Sequence, residues 1–145
     1  YYRLFDLPKP FDDRVLKIND TLFENVITER IDFLDVAERL VKHYGLKSKV
    51  KFTRGKDMAD YDWVTDTINL RPSYPSVKEF LITTLHEIRH ALDRKKMGVK
   101  KYERAYAMAG EMAVQKGGDF HDDNKFEEIA ERWGIREYQK LKNKI

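Results

Sequence analysis

Cysteine is absent from all 145 residues. That excludes disulfides, thiolate metal sites and a cysteine nucleophile, and leaves histidine and carboxylate as the only strong metal ligands. Long apolar runs are missing as well: nothing approaches the ~20 residues of a membrane span, and 37% of the residues are charged. A dominant charge is also lacking. The 28 basic and 25 acidic residues intermix along most of the chain for a net +3, whereas nucleic-acid readers gather Lys and Arg on one face. Neither a nucleic-acid nor a membrane partner is expected. The basic stretch 136–144 reads as a solvated C-terminus. There is no signal-peptide pattern, so a cytoplasmic location is expected, with Tyr1 in place of Met read as a trimmed or processed start.

What is present fits one domain over residues 1–145, long enough to bury a core without staples, with 1–27 as a peripheral N-terminal segment. There is no internal repeat and no low-complexity linker. Val15-Leu16-Lys17-Ile18 alternates like a short strand. From Thr28, a suitable N-cap, Ile31, Leu34, Ala37, Leu40 and Val41 recur at helical spacing until Gly45. His43 falls in the last turn, where a cation suits the helix dipole, and reads as structural. Residues 49–53 and 63–70 carry strand signals, and Pro72 and Pro75 then turn the chain. Ser76 and Glu79 form a capping box for a helix running to Gly98. Its apolar stripe is Val77, Phe80, Leu81, Thr84, Leu85, Ile88, Ala91 and Leu92. A third helix spans 101–116, with Tyr102, Ala105, Tyr106, Ala109, Met112 and Ala113 on one face. After a polar loop at 119–123, a fourth starts at Asn124, with Gly134 as a break or kink. The expected class is α+β, a small sheet followed by helices.

Within the 76–98 helix, His86, Glu87 and His90 spell H-E-x-x-H. Four residues bring both imidazoles to the same helix face, within reach of one ion. Glu87 lies roughly 100° further round, able to touch a water there without ligating the ion. Chance yields such a string on the order of once in a few hundred chains like this, but the capped helix and its apolar flanks suit a hydrolytic zinc centre. Catalytic zinc takes three protein ligands and keeps one open position. Downstream, the carboxylates Glu103, Glu111 and Glu127 are candidates to complete the set by residue type, Glu111 among apolar helical neighbours, and His121 offers an all-histidine alternative.

The segment 124–134, N-K-F-E-E-I-A-E-R-W-G, resembles the E-x-x-A string that follows H-E-x-x-H in small gluzincin-type metallopeptidases, among them ImmA/IrrE-like proteins, phage-encoded minimal zincins and, more distantly, HtpX-like peptidases. The resemblance covers residues 76–134. It implies a minimal zincin-like fold, a small sheet packed on the H-E-x-x-H helix, with His86, His90 and Glu127 as the zinc ligands. Ala130 and Gly134 are small enough for this helix to approach the metal helix closely. The competing reading is local: Asn124 and Glu127 stand at N-cap and N3 spacing, where Glu127 would only cap its own helix. Two positions depart from the pattern, Arg89 where a small residue is common and Glu131 where Asp or Asn is usual, so the partners that orient the histidines are open, with Asp93 as one option.

The function expected is zinc-dependent peptide hydrolysis, with Glu87 as general base. His121, Tyr102 and Tyr106 are candidates to steady the oxyanion, and a peptide substrate would pair with strand 67–70. Two rivals stand beside it: a zincin-fold binding or regulatory protein without turnover, and a structural or nucleic-acid-associated domain in which the histidines are incidental.

Overall fold

The computed structural model describes residues 32–54 and 58–144. The expected strand at 15–18, the peripheral segment 1–27, and Thr28 and Ile31 lie outside these residues. Helix α1, Phe33–His43, is capped by Asp32, whose side chain accepts from the Leu34 amide at 2.9 Å. Its buried stripe is Val36, Ala37, Leu40 and Val41, and Lys42 and His43 occupy the last turn, where positive charge opposes the exposed carbonyls. Gly45, at φ 76°, takes the left-handed turn that ends it.

Three four-residue strands follow: β1 (Lys49–Phe52), β2 (Ala59–Asp62) and β3 (Thr67–Leu70). They lie in the order β1-β3-β2, with β1 parallel and β2 antiparallel to β3. The single strand expected over 63–70 is therefore corrected. Residues 63–66 form the turn between β2 and β3, although Trp, Val and Thr favour strands. Local hydrogen bonds override that preference: Asp62 Oδ1 accepts from the amides of Val64 at 2.9 Å and Thr65 at 3.3 Å, and Asp66 closes the turn at φ 54°. Ser48 and Tyr61 both donate to Asp66 Oδ1, at 2.7 and 2.5 Å, tying the turn to the start of β1.

The sheet rests on α2 (Val77–Met97), begun by Ser76, which accepts from the Glu79 amide at 3.1 Å, and ended at Gly98 with φ 87°. This helix is the centre of the molecule, touching α1, β2, β3 and both later helices, α3 (Val99–Gln115) and α4 (Lys125–Lys144). Leu40, Ile68, Phe80, Leu85 and Ile88 are fully enclosed at the junction of sheet and helices, each worth roughly 1.5–3 kcal/mol relative to exposure. On α3, Tyr102, Tyr106, Gly110 and Ala113 face inward, whereas Met112 is exposed, against expectation.

Gly134 neither breaks nor kinks α4, which runs unbroken from Lys125 to Lys144. A Cβ added there would lie 3.1 Å from the Ile82 carbonyl oxygen and 3.3 Å from the His86 amide nitrogen. The glycine thus serves close approach: it brings the backbone of α4 against the turn of α2 that carries His86, beside the fully buried Ala130. None of the described helices is long and apolar enough to cross a membrane.

Candidate metal centre

That contact decides what faces what. His86 and His90, one turn apart on α2, both aim Nε2 at one oxygen of Glu127 in the first turn of α4, at 2.8 and 3.1 Å from Oε1. The three side chains form a cluster whose donor atoms all lie within 4.8 Å of one another. Zinc bound tetrahedrally at ~2.0–2.1 Å keeps its ligand atoms roughly 3.3 Å apart, so the two Nε2–Oε1 separations of 2.8 and 3.1 Å lie near those of a zinc-sized site.

The outer atoms of the ligands are held too. His86 Nδ1 meets Glu131 Oε1 at 3.1 Å, and His90 Nδ1 meets the Tyr102 hydroxyl at 3.1 Å. The Tyr106 hydroxyl donates to Glu127 Oε2 at 2.5 Å. Such partners orient each ring and keep Nε2 turned toward Glu127. Asp93, expected in this role, instead accepts from Arg89 Nε at 3.1 Å, one helical turn away.

Glu127 is therefore not a helix cap. Asn124 caps α4 alone, its Oδ1 accepting from the Phe126 amide at 2.9 Å, while its Nδ2 donates to the Tyr106 carbonyl at 3.0 Å and ties α4 to α3. The reserve carboxylates are elsewhere: Glu111 is exposed rather than part-buried, and Glu103, also exposed, accepts from Trp63 Nε1 at 3.0 Å. His121 does not join the triad. It sits on the loop between α3 and α4 with Nε2 3.3 Å from Glu127 Oε2, and its side chain is 67% exposed. Phe120 anchors that loop by lying flat on Gly110, where any Cβ would overlap its ring.

Glu87 points into the same cleft, is only 7% exposed and makes no hydrogen bond among the described residues. Burial raises its pKa, and the nearby His90 and His86 only partly offset this. Glu127 behaves oppositely: burial disfavours its charge, but the bonds from His86 and His90 hold its carboxyl well below the usual range. Burial also works against a charge on His86, yet the Glu127 bond and the charges of Glu87 and Glu127 prevail and raise it to about 9. In the absence of a cation, a proton on His86 thus plays the cation's part.

The cleft over these groups has a volume of about 700 Å³, bounded by Met58 to Tyr61 and Trp63 on one side and by Asp122, Glu128 and Glu131 on the other. β3 is paired on both edges, so the expectation that it receives a peptide is corrected: the edge strand flanking the cleft is β2. No family profile, curated protein or solved structure matches this chain. The geometry stands by itself.

Sequence reasoning found the triad and Glu87 but missed β2, because Ala-Asp-Tyr-Asp carries little strand signal. Tyr102 and Tyr106 were noticed, but as oxyanion donors. Their four-residue spacing, which stacks both hydroxyls on one face of α3, was the available clue to their role.

Proposed function

We propose that the protein is a zincin-like zinc metallopeptidase. The observation that carries this is the convergence of two imidazole Nε2 atoms on one Glu127 oxygen, beside Glu87, which has no hydrogen-bond partner among the described residues, in an open cleft. His86, His90 and Glu127 would hold the ion. When bound, zinc supplies the Lewis acidity that brings the pKa of a water to about 7 and polarises a peptide carbonyl. Glu87 takes a proton from the attacking water and delivers it to the leaving amine; burial, which raises its proton affinity, suits it to both steps. His121, on the exposed loop, is the group free to turn its Nε2–H toward the developing oxyanion, because Tyr102 and Tyr106 are occupied holding His90 and Glu127. The edge of β2 that no described strand pairs offers backbone groups to an extended substrate.

The test joins metal content to turnover. Purified protein should carry about one equivalent of zinc, and Glu87→Gln should retain it while losing peptide hydrolysis by a factor on the order of 10²–10⁴. Zinc bound at full stoichiometry with no hydrolysis by the parent chain would favour a binding protein; no zinc uptake on titration would end the reading altogether.

A further inference from the structure

Charge is distributed very unevenly between the cleft and the rest of the chain. Among the described residues, no Lys or Arg lines the cleft. Carboxylates enter it from three directions: Asp60 from the edge strand β2, Asp122 from the loop, and Glu128 and Glu131 from α4. With a divalent cation in place, Glu87 and Glu127 balance its charge and the other four remain unbalanced. Three of these four meet amide or imidazole nitrogens: Asn69 Nδ2 for Asp60 at 2.8 Å, His121 for Asp122 at 3.2 Å and His86 for Glu131 at 3.1 Å. Glu87, buried and without a hydrogen-bond partner among the described residues, faces the same space.

β2 and α4 each pack on α2 but make no contact with each other. An extended chain crossing the cleft therefore passes between Asp60 on one wall and Asp122, Glu128 and Glu131 on the other. The aromatic lining of Tyr61, Trp63, Tyr102 and Tyr106 supplies apolar surface for long aliphatic stems and low-dielectric walls that focus the field of the carboxylates.

We infer that the cleft selects cationic peptides, with Lys or Arg close to the bond to be cut. This rests on the peptidase reading and adds to it a substrate class. Each outer carboxylate is partly solvated, so each should contribute a modest factor, about threefold to fivefold, and the factors should shrink as salt screens them.

The experiment uses the full chain loaded with zinc and three labelled decapeptides, identical except that two positions flanking the centre carry Lys, Gln or Glu. With Glu87→Gln to prevent turnover, fluorescence anisotropy should rank affinity as Lys over Gln over Glu, with the spread narrowing at high salt. Asp60→Asn and Glu128→Gln, neither of which touches a ligand, should each weaken the Lys peptide about threefold to fivefold and leave the Gln peptide unchanged. Equal affinity for all three peptides overturns the inference. In a parallel arm with the parent chain, equal cleavage of the Lys and Gln peptides overturns the charge selection while leaving the peptidase reading intact. Cleavage of none overturns the peptidase reading, and the binding arm still decides the selectivity.

Discussion

The two walls of the cleft are made differently. Where α4 meets α2, glycine and alanine let the backbones close on each other, and each ligand's outer atom is engaged by a second side chain: Glu131 on His86, Tyr102 on His90, Tyr106 on Glu127. On the other side, β2 is paired along one edge only among the described residues, and Asp60 and the loop residue His121 stand in solvent. The first wall resists displacement, as an ion site needs, since its ligands must sit within about half an ångström of their positions. The second is open to a ligand that brings its own hydrogen bonds. Holding and admitting are thus divided between the two sides.

If the division is real, damage on the α2–α4 side should be read in metal binding, and damage opposite should not. Glu127→Ala removes one of three protein ligands. Zinc affinity should fall roughly hundred- to thousandfold, taking a four-ligand site as worth ~10–16 kcal/mol shared among its members; competition with a chromophoric chelator measures it, and unchanged affinity would reassign the third ligand. Tyr102→Phe deletes only the partner of His90 Nδ1, for which a loss of about 10–100-fold is expected by the same assay. Gly134→Val forces a branched side chain onto the backbone at Ile82 and His86, and thermal or urea unfolding should report a destabilisation of about 1–3 kcal/mol. Glu103 and Glu111 replaced by Ala should leave zinc affinity untouched.

A separate effect is in pH. In metal-free protein, the raised His86 contributes stability that is complete below its unfolded value of 6.5 and lost as pH climbs through about 9. The depressed Glu127 contributes above its ordinary 4.5 and loses that as pH falls toward its lower folded value. Melting temperature in chelator should therefore be highest between 4.5 and 6.5 and decline on the alkaline side. Zinc should abolish the alkaline decline, because the ion replaces the proton between His86 and Glu127.

The sequence spoke clearly where structure is local. The Ser76 cap, the stripe of α2 and the spacing of His86, Glu87 and His90 all depend on residues within a few positions of one another, and all appear as expected. It spoke poorly where distant segments compete. Residues 63–66 have strand-forming side chains, yet the Asp62 and Asp66 turn prevails, and which strand forms an edge depends on β3 inserting between β1 and β2. The role of Glu127 was ambiguous for the same reason: its neighbours offered it a cap, and only the docking of α4 on α2, invisible in local pattern, gave it two imidazoles instead. Among the described residues the architecture is α+β with a three-stranded mixed sheet.

His90 and Glu127 are 37 positions apart, so an ion shared between them would close a loop comprising all of α3 and the chain that follows it. Tying off a loop of that length removes roughly 4 kcal/mol of freedom from the unfolded chain, on the scale derived for disulfides. In a protein without cysteine, the ion would then be a reversible cross-link as well as a cofactor. A chelator would release that constraint, lowering resistance to unfolding and to proteolysis across the loop even where catalysis is not being measured.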